Sequence, residues 1–252
     1  MYKIDMNSDL GESFGRYTIG MDEAVLGNIT SANVACGFHA SDPVVMEKTI
    51  RMAKEQGVQI GAHPGFPDLM GFGRRSMQLS TGEAKAYTLY QISALGGMCR
   101  AQGVELQHVK PHGALYNMAA KDYKLAQAIC QAICEYDKNL IVMALSGGEL
   151  VHAARDMGLP VALEVFADRA YEEDGSLVDR RKDGAMITDE DLAIRRVIRI
   201  IKEQKVTAIT GKDISVKADS ICVHGDGEKA VAFVKRIHRE LEKEGIEISP
   251  LK

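Results

Sequence analysis

Side chains capable of acid–base or metal chemistry follow several short apolar runs in this sequence. They are Asp9 and Glu12, His39, His63, Lys110 and His112, Asp168 and Arg169, and His224 and Asp226. Carboxylates and imidazoles act as general bases, general acids and metal ligands, and a lysine stabilises developing negative charge. If the apolar runs are neighbouring parallel strands, their ends meet on one face, and the sequence predicts one shared site there.

The residues alone leave three interpretations of this set open. In the first, Asp9, His63 and His112 bind a divalent metal that activates water, although no short-range ligand spacing supports it. In the second, no metal takes part: a carboxylate or imidazole activates water and Lys110 stabilises negative charge. In the third, the histidines only form hydrogen bonds at strand ends. Buried ionisable groups are costly unless they are paired, which disfavours the third interpretation for all four post-strand histidines together. The remaining histidines are predicted to be structural or on the surface: His108, His152 and His238.

Short strand-like runs alternate with longer helical patterns along the chain. The predicted strands span residues 3–7, 29–35, 59–63, 107–110, 140–143, 162–166 and 220–224. The predicted helices span residues 43–56, 81–102, 125–136, 149–157, 189–204 and 228–244. Parallel strands need crossover helices, so this alternation predicts an α/β fold with a parallel sheet. No glycine-rich dinucleotide fingerprint follows the first strand, which disfavours a Rossmann fold, while a closed barrel fits.

The chain is predicted to form a single domain over residues 1–252, because no change in composition marks a linker. Residues 168–184 are charged and contain glycine, which is typical of an active-site loop or lid or of a solvated excursion.

Composition and charge exclude several classes of protein. A net charge of −4 does not favour a partner with a phosphate backbone or a membrane surface. No apolar run reaches the roughly 18 residues of a membrane span, and residues 1–5 lack the apolar stretch of a signal peptide. An odd number of cysteines, five, argues against a disulfide framework. We therefore expect a cytoplasmic protein that acts on small molecules.

Nucleotide-binding signals are weak. Residues 146–149 (Ser-Gly-Gly-Glu) join a strand to a helix and fit either a phosphate-binding turn or a plain turn. Residues 210–213 (Thr-Gly-Lys-Asp) lack the spaced glycine and the hydroxyl residue of a Walker A loop. This sequence therefore contains no standard ATP-binding signature.

Six motifs in order make the sequence similar to a known family. They are Asn-Ser-Asp-Leu-Gly-Glu-Ser-Phe-Gly (7–15), Asn-Val-Ala-Cys-Gly-Phe-His-Ala (33–40), Ala-His-Pro-Gly-Phe-Pro-Asp (62–68) with Gly-Phe-Gly-Arg-Arg (71–75), His-Val-Lys-Pro-His-Gly-Ala-Leu-Tyr-Asn (108–117), Asp-Arg-Ala-Tyr (168–171) and Cys-Val-His-Gly-Asp (222–226). Together they resemble the LamB/YcsF family, the 5-oxoprolinase A subunits. The sequence departs from the family pattern at Ser41, where glycine is expected, and at Asp179, where proline is expected.

This resemblance implies an irregular (β/α)7 TIM-like barrel related to the glycoside hydrolase and deacetylase barrels. It also implies an ATP-dependent hydrolase that opens the lactam ring of 5-oxoproline to give glutamate, with separate B and C subunits as partners. ATP would then be a co-substrate of the complex, and a divalent metal stays an open question.

The expected reaction suggests a role for each candidate residue. Asp9 is the expected general base, with His39 or His63 as orienting group or acid, and Glu12 belongs to the same catalytic set. Lys110 and His112 would face the developing negative charge or a phosphate. The candidates for binding substrate are Asn7, Arg74, Arg75, Arg169, His224 and Asp226. Two alternatives remain: a metal-dependent amide or N-acetyl hydrolase, and a non-catalytic ligand-binding subunit.

Overall fold

The computed structural model describes residues 2–224 and 227–252 and contains a closed parallel barrel. The strands are β1 (Tyr2–Leu10), β2 (Ser31–Ala35), β3 (Gln59–His63), β4 (Leu106–Val109), β5 (Ile141–Leu145), β6 (Val161–Phe166), β7 (Lys205–Thr207), β8 (Asp213–Ser215), β9 (Ser220–Cys222) and β10 (Ile246–Ile248). The barrel order is β1-β2-β3-β4-β5-β6-β9, and β9 pairs with β1 to close it. The predicted parallel α/β barrel is thus confirmed.

Among the residues that the structure describes, three short strands lie outside the seven-stranded barrel. Strand β10 pairs in parallel with the first residues of β1, and β7 and β8 form a separate antiparallel pair. The barrel itself is irregular at the β3–β4 contact, where the register shifts between Ile60 and Gly61. Such a shift changes which side chains face inward, and here it accompanies the close approach of Gly61 on β3 to the His108 ring on β4.

Helices connect the barrel strands. They are α1 (Asp22–Leu26), α2 (Pro43–Glu55), α3 (Thr81–Ala101), α4 (Gly113–Ala119), α5 (Tyr123–Tyr136), α6 (Glu149–Asp156), α7 (Glu190–Glu203) and α8 (Glu228–Lys243). A short 3-10 helix at Leu69–Gly71 lies in the connection that follows β3. Within the described part of the chain, no helix combines the length and apolar character needed to cross a membrane.

Local capping explains where several helices begin. The side chain of Asp42 accepts hydrogen bonds from the backbone at the start of α2, and Pro43 occupies the first turn. Ser80 and Glu83 form a reciprocal capping box at the start of α3. These signals are local, and for that reason the predicted starts of α2 and α3 agree with the structure.

Alternation along the strands separates an apolar layer from a polar barrel interior. On β1, Ile4, Met6 and Leu10 belong to the apolar core between strands and helices. The intervening residues Asp5 and Asn7 are buried and hydrogen-bond to polar residues of neighbouring strands. Successive strand residues point to opposite faces, so one strand serves both layers. Polar residues take the inward positions of other strands too: Ser31, Asn33, His63, His108, Glu164 and Ser220.

Candidate functional site

The buried ammonium of Lys110 lies at the centre of the polar interior. It lies 2.9 Å from Asp9 Oδ1 and 2.8 Å from Glu164 Oε1, and donates to Asn7 Oδ1 at 3.0 Å. Burial alone would lower the pKa of Lys110, but the charge of Asp9, with Cys222 and Glu164, raises it well above its usual value. Lys110 is therefore a permanent cation whose three protons already have acceptors.

Asp9 is the partly exposed carboxylate of this network. It lies at the barrel mouth, by which we mean the carboxyl-terminal ends of the barrel strands. Its side chain retains 16% exposure, whereas that of Lys110 retains 3%. Asp9 Oδ1 also accepts from Asn33 at 2.8 Å, and Oδ2 lies 3.3 Å from His63 Nε2. Burial would raise the pKa of Asp9, yet His63 and Lys110 lower it well below its usual value. Asp9 is thus held as a carboxylate, the form that a general base requires.

His63 and His112 form a buried pair whose ring nitrogens approach closely. His63 Nε2 lies 2.9 Å from His112 Nδ1. The outer nitrogens face main-chain carbonyl oxygens: His63 Nδ1 lies 2.7 Å from Lys110 O, and His112 Nε2 lies 2.9 Å from Phe72 O. The pKa of His112 is lowered well below its usual value by burial and by the neighbouring His39 and His63. The protein therefore fixes both rings from outside the pair.

His39 and Glu12 complete this cluster. The rings of His39 and His112 stack in parallel with centroids 3.6 Å apart. His39 Nε2 lies 3.3 Å from Glu12 Oε1, which in turn lies 3.5 Å from His112 Nδ1. Burial and the proximity of His63 lower the pKa of His39 well below its usual value. A neutral His39 donates its single proton to Glu12, which leaves Nδ1 as the nitrogen without a partner.

His224 and Asp168 form a second acid–base pair near Asp9. His224 Nδ1 lies 2.9 Å from Asp168 Oδ2, and both side chains are about one-fifth exposed. Burial would lower the pKa of His224, but Asp168 raises it, and His224 lowers the pKa of Asp168 in return. His224 also lowers the pKa of Asp9, so both sets share one mouth. The predicted substrate-binding Asp226 lies outside the described residues.

The predicted substrate-binding arginines occupy three different environments. Arg75 pairs with Asp68. Arg169 is buried and donates to Val178 O at 2.7 Å, and burial together with nearby Arg180 lowers its pKa to about 10. Arg74 is exposed and lies over the Phe72 ring, and it acts electrostatically on His39 inside the site. Arg74 is therefore the member of this set placed at the rim of the His39 cluster.

Several residues that sequence reasoning did not assign are integral to the site. Glu164 accepts from Tyr116 Oη at 2.6 Å on its second oxygen, and Asn33 donates to both Asn7 and Asp9. Exposed Arg180 lies close enough to influence Asp168, Arg169 and His224 electrostatically. A lone glutamate inside the apolar run of β6 was the available signal for Glu164, and Asn33 and Tyr116 lie within motifs already singled out.

The family assignment follows from comparison with known proteins. Residues 4–252 match the LamB/YcsF family. This chain belongs to that family. Among LamB/YcsF relatives, a Clostridium beijerinckii protein named as the 5-oxoprolinase A subunit is 66% identical over 251 residues, covering 100% of this chain and 98% of the relative. A Pyrococcus abyssi protein of the same name is 55% identical, covering 99% of this chain and 98% of the relative.

Solved structures agree with the family assignment and with the barrel. The lactam utilization protein from Thermus thermophilus superposes with a TM-score of 0.94 at 43% identity, covering 99% of this chain and 100% of that one. A family 4 carbohydrate esterase from Streptomyces lividans superposes with a TM-score of 0.50 at 11% identity, covering 100% of this LamB/YcsF chain and 93% of the esterase. The second likeness concerns the fold alone.

Proposed function

We propose that this chain is the A subunit of an ATP-dependent 5-oxoprolinase and opens the lactam ring of 5-oxoproline to give glutamate. The observation that carries the proposal is 66% identity, over the whole chain, to a relative named as the 5-oxoprolinase A subunit. The geometry of the barrel mouth supports it, because a charged and partly exposed Asp9 suits the activation of water.

The reaction needs an activated carbonyl because the lactam amide is stabilised by resonance. We propose that the partner B and C subunits transfer a phosphoryl group from ATP to the lactam oxygen, which makes the ring carbon a better electrophile. The lack of a standard ATP-binding motif in this sequence supports this division of labour. Water then adds to the ring carbon, the C–N bond breaks, and the nitrogen takes up a proton. A second water releases phosphate from the resulting acyl phosphate, leaving glutamate.

In this proposal each polar group of the mouth has one task. Asp9 accepts the proton of the attacking water, and Lys110 keeps Asp9 charged and oriented. His224, whose pKa is raised by Asp168 against the effect of burial, supplies the proton that the ring nitrogen needs. The exposed guanidinium groups of Arg74 and Arg180 bind the substrate carboxylate, a task for which arginine is well suited.

The thiols support a reducing compartment for this reaction. Four of the five cysteines are buried, Cys134 is half-buried, and all are free. Free thiols are characteristic of proteins of the cytoplasm. We therefore propose that the complex acts there.

The test is glutamate release from 5-oxoproline and ATP with the B and C subunits, in the presence and absence of this chain. We expect release only when the chain is present, and we expect Asp9→Asn to abolish it while the far-ultraviolet circular dichroism stays that of the wild type. Loss of a general base typically lowers the rate by about 100- to 10,000-fold. Equal glutamate release by the B and C subunits alone would refute the proposal, and full turnover by Asp9→Asn would remove Asp9 from the mechanism.

A further inference from the structure

The hydrogen-bond partners of His63 and His112 determine where their protons lie. Lys110 O and Phe72 O can only accept, so His63 Nδ1 and His112 Nε2 each carry a proton. In a neutral imidazole the other nitrogen then has a lone pair. The two remaining nitrogens, His63 Nε2 and His112 Nδ1, lie 2.9 Å apart and face each other. Two lone pairs at this distance repel each other unless a positive charge lies between or beside them.

A carboxylate oxygen lies close to each of these two nitrogens. Glu12 Oε1 lies 3.5 Å from His112 Nδ1, and Asp9 Oδ2 lies 3.3 Å from His63 Nε2. The donor atoms of Glu12, His63 and His112 all lie within 4.8 Å of one another. Metal–ligand bonds of about 2.0–2.1 Å place neighbouring ligand atoms roughly 3.0–3.4 Å apart. The observed separations of 2.9 and 3.5 Å are close to that range.

The charges of the barrel interior also favour a cation at this position. The carboxylates of Asp9 and Glu164 flank the ammonium of Lys110, and that of Glu12 lies in the histidine cluster. Buried negative charge is costly, and a divalent cation at the histidine cluster would interact favourably with these carboxylates.

We infer that Glu12, His63 and His112 form a binding site for a divalent first-row transition metal ion. Two imidazoles and one carboxylate are the donor set of catalytic zinc sites that keep an open coordination position. Both histidines donate their outer N–H groups to main-chain carbonyl oxygens, which is the outer-shell pattern that fixes metal-ligating histidines. Asp9 lies at the edge of this site and His39 orients Glu12. A metal bound here supplies Lewis acidity at the barrel mouth.

The inference concerns the mouth assigned to ring opening, but metal binding is measured on this chain alone. The protein is freed of metal with a chelator and titrated with Zn²⁺ by calorimetry, and separately with Co²⁺ by visible absorption. We expect one ion per chain, intense d–d bands typical of low-coordinate Co²⁺, and displacement of Co²⁺ by Zn²⁺. If neither ion binds saturably, the inference is overturned. In that case a proton shared between His63 Nε2 and His112 Nδ1 accounts for their short separation.

Variants locate the site. Glu12→Gln and His112→Gln are expected to weaken Zn²⁺ binding by at least about tenfold, since the loss of outer-shell partners alone has effects of that size. His108→Gln is the matched control: His108 is also a buried barrel histidine, but it binds Asn33 instead of the cluster, and its variant should bind Zn²⁺ like the wild type. Unchanged binding in both Glu12→Gln and His112→Gln would overturn the assignment. A chain that binds metal but does not support glutamate release would contradict only the proposed function.

Discussion

His108 shows how a single buried residue adapts to the polar interior of the barrel. Its Nε2 lies 2.7 Å from Asn33 Oδ1, and Asn33 in turn donates to Asp9. Burial, together with Lys110 and His63, lowers the pKa of His108 to about 3. His108 therefore stays neutral in the folded protein under mildly acidic conditions and donates to Asn33. This agrees with the structural role predicted for it from sequence.

The lowered pKa of His108 predicts a loss of stability in acid. In the unfolded chain the imidazole protonates near its usual value of 6.5, whereas in the folded protein it stays neutral down to about 3. Protonation thus favours unfolding as the pH falls from 6.5 to about 3, by on the order of 4 kcal/mol in total. We expect His108→Gln to reduce the slope of unfolding free energy against pH between about pH 7 and pH 4, measured by urea denaturation. His152→Gln, at an exposed position, should keep the wild-type slope, and an unchanged slope in His108→Gln would contradict this account.

Two tyrosines each donate a hydrogen bond to a carboxylate, one in the barrel interior and one at the surface. Comparing them tests how much the buried hydrogen bond contributes to stability. Tyr116 donates to Glu164 at 2.6 Å inside the barrel, and Tyr123 donates to Asp156 at 2.7 Å at the surface. We expect Tyr116→Phe to lower the free energy of unfolding by about 2–3 kcal/mol, because it leaves a buried carboxylate oxygen without its donor. Tyr123→Phe should change it by less than about 1 kcal/mol, since water replaces the hydroxyl. Equal losses in chemical denaturation would show that Glu164 is not held by Tyr116.

The candidate site could be predicted from sequence only in part. Positions after strand ends pointed to His39, His63 and His112, and the structure brings these three together. It pairs the fourth post-strand histidine, His224, with Asp168 instead. Which groups pair depends on strand register and inward orientation, and neither is visible in a motif. For that reason no motif indicated that Lys110 has no proton left for a substrate.

At the scale of helices and strands, the length of an element decided whether it could be predicted from the sequence. Each of the seven predicted strands corresponds to a barrel strand, and each of the six predicted helices overlaps a long helix of the structure. The elements that were missed are short, with five residues in α1, seven in α4 and three each in β7, β8 and β10. A periodic pattern needs more residues than these to stand out from chance.

The contact between β3 and β4 depends on a glycine. Gly61 on β3 faces the His108 ring on β4, and a β-carbon at this position would overlap the imidazole. The register shift at this residue pair accompanies the close approach. The ring cannot move away freely because it is bound to Asn33. Gly61 is therefore required by packing and not by an unusual backbone angle.

We expect Gly61→Ala to destabilise the protein by at least about 2 kcal/mol, because overpacking forces the bound ring out of place. Gly97 in α3, where a β-carbon would meet nothing within 4 Å, is the matched control. Gly97→Ala should leave stability unchanged or raise it by up to about 1 kcal/mol. The cost of Gly61→Ala should fall in a His108→Ala background, as a double-mutant cycle would measure. An undiminished cost in that background would show that His108 is not the obstacle.

At the scale of the whole molecule, the two ends of the chain close the barrel together. Strand β1 pairs with β2 on one side and with β9 on the other, and Asn7 donates to Ser220 at 2.8 Å across 213 positions of sequence. The beginning of β1 also pairs with β10. Closure of the barrel therefore depends on contacts between distant parts of the sequence. Local sequence patterns do not predict such contacts. The family resemblance, not the periodicity, predicted a closed barrel.

The C-terminal segment covers the end of the barrel opposite the mouth. Ser249 N donates to Ile4 O at 2.9 Å, and Leu251 O accepts from Gln107 at 2.9 Å. Leu251 packs against a small apolar cluster formed by Ile141, Met143 and Ala162. These contacts lie at the start of the strands, whereas Asp9 and the histidine cluster lie at their carboxyl ends. The segment should therefore contribute to stability and not to chemistry.

Removal of residues 246–252 tests this separation between the two ends of the barrel. Burial of Ile246 and part of Leu251 is worth roughly 2 kcal/mol per side chain, so the deletion should lower the thermal midpoint by at least about 5 °C. Deletion of Lys252 alone, an exposed residue, should leave the midpoint unchanged. Well below its midpoint, the longer deletion should still bind Zn²⁺ and release glutamate with the partner subunits, because β1 and β9 still close the barrel around Asp9. Loss of both activities in a protein that remains folded by circular dichroism would show that the two ends are coupled, and that the strand ends at the mouth depend on the pairing of β10 with β1.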